Sequence, residues 1–149
     1  MKKLLLEVCL VLVGISLSGC SSDNTSYTDG KYTGKSSVYE NEDGTDDGNG
    51  YGEVTVEFKD SKIIACQFLT YEPNGKLKDE EYGKVHGEIA NRDFYNKAQK
   101  SNGACAEYAK EVVEKGNIED IDAISGATIN YNSFVEAMDD VLEQAKLEQ

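Results

Sequence analysis

The chain has 149 residues, with 28 Asp and Glu against 15 Lys and Arg and a formal net charge of −13 at neutral pH. That length suits one hydrophobic core, since domains of about 100 to 200 residues are the norm. The acidic balance argues against DNA or RNA as a partner, because phosphate backbones are held by clustered Lys and Arg. Nine Tyr and four Phe argue against a chain disordered throughout.

The first element is a leader. Lys2 and Lys3 precede an apolar stretch from Leu4 to Leu17, broken only by Glu7, and small residues follow at Ser18 and Gly19. This is the three-part layout of a secretory signal, and it is too short for a stable membrane span of roughly 20 apolar residues. Leu17-Ser18-Gly19-Cys20 resembles the lipobox of bacterial lipoproteins. The resemblance implies that Cys20 becomes the lipidated N-terminus once residues 1–19 are removed. The mature chain would keep 149 − 19 = 130 residues and, having lost Lys2, Lys3 and Glu7, a charge of −14. A surface of that sign is not drawn to anionic headgroups, so acyl chains would hold the protein at the extracytoplasmic face of the cell membrane. Residues 20–29 read as a polar tether, and residues 30–149 as the folded domain.

The domain opens with a strand from Gly30 to Val38, followed by an acidic, Gly-rich loop from Glu40 to Gly50. Asp43, Thr45 and Asp47 faintly resemble the start of a calcium loop. The twelfth position is Val54, where a bidentate Glu is needed, so the segment reads as a solvated hairpin loop. Val54, Val56 and Phe58 alternate with Glu53, Thr55 and Glu57, which predicts a half-buried strand. Asp60-Ser61 makes a turn into a second strand, Ile63 to Tyr71, completing a hairpin. Later residues read as helical. Cys105, Tyr108, Ala109 and Val112 form one stripe between Ala104 and Lys115, with Gly116 as the stop. Phe134, Met138, Val141 and Ala145 form another after Ser133, which is spaced with Glu136 as a capping box. Strands first and helices later predict an α+β domain, a small antiparallel sheet with helices packed on one face.

Between the two helices lies Asp122-Ala123-Ile124-Ser125-Gly126-Ala127-Thr128. It sets a hydroxyl at Thr128 behind two residues with almost no side chain, a few positions before a helix start. A phosphate esterified there would meet free N–H groups and the positive end of the helix dipole.

The seven residues resemble the flavinylation motif of the FMN-binding domain family, Asp-x-x-(Ser or Thr)-Gly-Ala-(Thr or Ser). Further likeness lies in Asp29 to Gly34, in Gly50-Tyr51-Gly52 with Val54 to Ile64, and in Asn132 to Ala145, so nearly the whole mature domain is covered. The resemblance implies covalent FMN on Thr128 through a phosphoester, installed by an FAD:protein FMN transferase that uses magnesium. Asp122, Ser125, Gly126 and Ala127 would form the recognition segment, with Tyr51 and Gly52 as candidates for packing beside the ring. With the lipobox, it matches flavin-carrying lipoproteins of Gram-positive bacteria. The implied role is a relay passing electrons from a membrane donor, a quinol or a dehydrogenase, to an external acceptor, as a carrier or redox subunit rather than a self-sufficient enzyme. Two other readings stay open: a surface lipoprotein that is never flavinylated and binds a ligand or partner, and a flavin-dependent redox sensor.

Other residues carry weaker signals. His86 is the one histidine and no serine-nucleophile motif accompanies it; without Cys-x-x-Cys spacing a metal site is not expected either. Cys66 and Cys105 stand outside the family pattern, either as buried thiols or as a disulfide.

Overall fold

Alternation puts Gly52, Val54, Val56 and Phe58 on one side of their strand, and all four are buried. The computed structural model describes residues 25–45 and 47–146. The expected leader at 1–19, Cys20 and residues 21–24 of the expected tether lie outside the described residues. Three strands, β1 (Gly30–Lys35), β2 (Tyr51–Lys59) and β3 (Lys62–Tyr71), form an antiparallel sheet in the order β1-β2-β3. Val54 faces Phe68 and Val56 faces Cys66, so the apolar side chains of neighbouring strands share a face. Asp60 and Ser61 both have positive φ, 51° and 58°, the tight turn that keeps paired strands in their natural twist.

Two helices, α1 (Arg92–Lys115) and α2 (Thr128–Ala145), cover that face, α1 against β3 and α2 against β1 and β2. The predicted α+β arrangement, with helices on one side of a small sheet, is the one observed. The predicted stripes are buried: Tyr108 and Val112 of α1, and Phe134, Met138 and Val141 of α2, are fully excluded from water. Tyr108 stacks on Phe134 with ring centroids 5.6 Å apart, and Phe68 meets the same ring at 5.0 Å. Each such side chain contributes roughly 1.5–3 kcal/mol by leaving water. Close approach of α2 depends on two glycines. A Cβ on Gly34 would sit 2.3 Å from the Ala137 carbonyl oxygen, and one on Gly52 would press on Phe68 at 2.7 Å and Ser133 at 3.0 Å.

Several boundaries differ from expectation. β1 stops at Lys35 rather than Val38, whose side chain is exposed because the chain leaves the sheet for an isolated bridge between Tyr39 and Gly50. Tyr27 and Thr28, within the span 20–29 expected to be a tether, make contacts with the domain. Tyr27 bridges Lys146, stacks on Phe58 at 4.9 Å, and exchanges hydrogen bonds with the Ser61 hydroxyl. Helix α1 begins twelve residues before Ala104, capped by Asn91, whose side-chain oxygen accepts the Phe94 N–H at 3.1 Å. Gly116, at φ 72°, ends it as expected. Ser133 and Glu136 are not a capping box, since α2 starts five residues earlier. Ser133 is buried against Gly52, and Glu136 accepts from the Ser37 hydroxyl at 2.9 Å.

Candidate functional site

The motif segment crosses from the short 3-10 turn at Ile118–Asp120 to the start of α2. Apolar residues anchor it: Ile121, just before it, and Ala127 within it are buried, and Ile124 packs against the core. Two tyrosines clamp the backbone between them. The Ile124 N–H donates to the Tyr108 hydroxyl oxygen at 2.8 Å, and the Tyr131 hydroxyl donates to the Ile121 carbonyl at 2.9 Å. The Tyr108 hydroxyl in turn donates to the Ala127 carbonyl at 3.4 Å. Burial raises the Tyr108 phenol above its ordinary value, so it stays neutral and able to donate. This clamp had no signature in the sequence beyond the helical stripe that holds Tyr108.

With its apolar residues pinned, the segment turns its polar ones outward: Asp122, Ser125, Gly126 and Thr128 are exposed. The turn is closed by the Ala127 N–H donating to the Ile124 carbonyl at 2.9 Å, with Gly126 at φ 84°. That conformation favours glycine, which has no Cβ to clash.

Thr128 is the first residue of α2, closer to the helix than the sequence implied. The residue before it is Ala127, which supplies no side-chain cap, and the first helical bond is Tyr131 N–H to the Ala127 carbonyl. The N–H groups of Thr128, Ile129 and Asn130 therefore precede the hydrogen-bond ladder, beside the Thr128 hydroxyl, at the positive end of the dipole. Ser, Thr, Asp or Asn is the usual residue at the capping position, so Ala127 is a departure from what helix stability alone would select.

Two cavities flank this first turn, and Ile129 lines both. On the β1 side, a space of about 520 Å³ is bordered by Glu40, Glu42 and Glu136. On the α1 side, one of about 150 Å³ is bordered by Gly126, Asp47, Lys97, Lys78, Tyr82 and Phe94, with Asn130 at its edge. The Lys100 ammonium adds a cation there, lying 3.4 Å from where a Cβ on Gly126 would be. An anion at Thr128 meets helix amides, Lys97 and Lys100 on the α1 side, with Asp47 opposing them, and the three carboxylates of Glu40, Glu42 and Glu136 on the other, so the α1 side favours it on balance. Hydrogen bonds tie the α1 side to its neighbours. Asn130 is buried and donates to the Ser101 carbonyl at 2.9 Å and to the Cys105 sulfur at 3.3 Å, tying the first turn of α2 to α1. Lys78 is also buried; its ammonium donates to the Gly48 carbonyl at 3.0 Å and lies 4.9 Å from the Tyr82 ring centre. Burial pushes its pKa down from the usual lysine value.

A family profile decides which proteins share this layout. The FMN-binding domain family matches residues 47–143. The chain belongs to the FMN-binding domain family. Thr128 and the rest of the motif fall inside the matched stretch. Among solved structures, the CPE2226 protein from Clostridium perfringens has a similar fold, with 22% identity over 80% of this chain and 88% of that one and a TM-score of 0.54. A solution structure of a protein from Clostridium thermocellum matches with 23% identity over 81% and 95% of the two chains, at a TM-score of 0.40. No curated protein matches.

The residues present fit the phosphate of an FMN: an exposed hydroxyl, three amides that precede the helical ladder, and Lys97 and Lys100 beside Gly126 and the first turn of α2. The two proposed ring neighbours are divided by the sheet. Gly52 faces inward, and the space left by its missing side chain is filled by Phe68 and Ser133, so that opening serves the packing of α2. Tyr51 points to the opposite face, stacked on Tyr71 at 5.2 Å with the Lys35 ammonium 5.7 Å from its ring centre. Tyr82 and Phe94, edge to face at 6.1 Å, are the aromatic pair that shares a cavity with Gly126.

The remaining candidates lie elsewhere. Cys66 and Cys105 are free thiols and line a larger cavity of about 670 Å³ between β3 and α1, which no motif residue borders. Burial pushes Cys66 up to about 12 and Cys105 up to about 11, so both are protonated and poorly nucleophilic at neutral pH. His86 is exposed in a turn at φ 51°. In the acidic loop, Asp43 accepts the Thr45 N–H at 2.8 Å, which holds its carboxyl below the usual range. No cluster of metal-binding side chains occurs among the described residues.

Proposed function

We propose that Thr128 carries FMN through a phosphoester and that the domain, held to the membrane by lipidated Cys20, relays electrons from a membrane donor to an external acceptor. The observation that carries this reading is the pairing of an exposed Thr128 hydroxyl with the uncapped first turn of α2, inside the complete seven-residue motif.

In the attachment step, the Thr128 oxygen forms a bond to the FMN phosphorus of FAD, the phosphoanhydride bond to AMP breaks, and the hydroxyl proton is lost. The FAD:protein FMN transferase supplies the magnesium and the catalytic groups. This chain supplies the acceptor: Tyr108 and Tyr131 hold the loop in shape, while Gly126 leaves the approach open. A phosphodiester on Thr128 would be held by the first-turn amides and the Lys97 and Lys100 ammonium groups. The flavin accepts one or two electrons. Tyr82 and Phe94 offer an apolar wall on the side where the lysines favour the phosphate.

Mass spectrometry of the mature protein from its native host tests the proposal. The peptide bearing Thr128 is expected to gain one FMN less one water, and Thr128→Ala to lose the addition. An unmodified Thr128 in cells that contain the transferase would sink the flavin reading; an unmodified Cys20 would sink the anchor.

A further inference from the structure

The two ends of α2 have different neighbours. At its start lies Thr128. At its end, the Thr28 N–H donates to the Ala145 carbonyl at 2.8 Å, Tyr27 bridges Lys146, and Thr25, Tyr27 and Glu143 border one shallow cavity. The chain thus enters the domain beside the last turn of α2. Thr128 and Ala145 are separated along the helix axis by about 26 Å, at 1.5 Å per residue. The point where the chain enters the domain and Thr128 stand at opposite ends of α2.

Resting on the lipidation and flavinylation proposed above, we infer that the domain presents its Thr128 pole away from the bilayer, so that the flavin exchanges electrons with proteins whose redox group stands clear of the membrane, not with a donor dissolved in the lipid. Chain length enforces this. Cys20 and Thr25 are five residues apart, and even fully extended the segment spans at most about 18 Å. Turning the Thr128 pole down onto the membrane would lift Thr25 about 26 Å from it, farther than the tether reaches. Lying flat is opposed by charge, since an acidic domain is repelled by an anionic lipid surface. Of the two donors compatible with a membrane relay, a dehydrogenase with an extramembrane redox group meets this geometry and a quinol confined to the bilayer does not.

The chain has no tryptophan, which gives a direct test. A single indole is introduced on α2 at an exposed position of either pole, by Thr128→Trp or Glu143→Trp. The full lipidated proteins are placed on phosphatidylcholine and phosphatidylglycerol vesicles containing a headgroup nitroxide lipid. The expected result is strong quenching of Glu143→Trp emission and little loss from Thr128→Trp. Asn132→Trp, one turn further along, serves as a second distal reporter and is expected to follow Thr128→Trp. Distal reporters quenched as strongly as Glu143→Trp would overturn the orientation. Absence of quenching at both poles would also overturn it, through loss of the anchor on which it rests, and the mass of Cys20 distinguishes that failure from the first.

Discussion

The Tyr108 hydroxyl oxygen lies 2.8 Å from the Ile124 nitrogen, joining the middle of α1 to the middle of the motif segment across 16 residues of chain. Tyr108 is fully buried while Ile124 is half-buried, so the Ile124 N–H is only partly reached by water if that oxygen is removed. Tyr108→Phe keeps the ring stacked on Phe134 and deletes only the clamp. It is expected to lower unfolding free energy by about 0.5–1.5 kcal/mol, the net worth of one part-buried hydrogen bond. Urea denaturation measures the loss. A slower rate of flavin attachment in the same variant would show that the clamp also holds the acceptor loop in shape.

At Lys100, the expected effect is on modification and not on folding, because the side chain is exposed on α1. An exposed ion pair contributes about 0.2–1 kcal/mol, so on the proposed reading Lys100→Gln should slow transfer of FMN to Thr128 by up to about fivefold. In-gel flavin fluorescence followed over time reads this directly. Thr128→Ser keeps a hydroxyl and should still be modified; a Ser variant as inert as Thr128→Ala would point to a requirement for the Thr methyl.

Gly34→Ala is predicted to be destabilising although it adds a single methyl group. The new Cβ would meet the Ala137 carbonyl oxygen at 2.3 Å, and backbone cannot move aside as a side chain can. Overpacking of this kind costs about 1–3 kcal/mol, and the melting temperature should fall accordingly.

The thiols set a pH dependence. An unfolded Cys releases its proton near 9.0, whereas burial holds Cys105 to about 11 and Cys66 to about 12. Below pH 9 both states keep the proton and the thiols contribute no slope. Above it, the unfolded state ionises first, so stability falls as pH rises from about 9 through the folded values. Urea titrations at pH 8 and pH 10 should differ more in the parent than in a Cys66→Ala, Cys105→Ala variant. An equal difference would locate the slope in other groups.

Much of this was legible in the chain. The period-two alternation at Val54, Val56 and Phe58 and the helical stripes ending at Val112 and Ala145 led to the right elements, because burial imposes those spacings. The helix starts were harder to read. Asn91 is an ordinary capping residue, but the polar run from Arg92 to Gly103 hid the first half of α1. At α2 the reverse occurred: Ser133 and Glu136 carry a capping spacing while the helix begins at Thr128 with no side-chain cap. Local rules fail there because the start of α2 is fixed by tertiary contacts, namely the clamps of Tyr108 and Tyr131 and the link from Asn130 to Ser101. Gly52 shows the same limit. Its need for space was legible; that α2 fills the space became visible only with Ser133 against it. The lysines near Gly126 were invisible to motif reading, because α1 brings them in from about 26 residues away.

The missing side-chain cap at Ala127 has a consequence for how the protein matures. A helix without an N-cap gives up about 0.5–2 kcal/mol. On the proposed reading, the phosphate is an acceptor delivered after translation, to the same amides that Ser or Asp would otherwise have served. Loading the cofactor would then also finish the fold locally, and newly exported chains awaiting FMN would be the ones whose motif loop a surface protease cuts first.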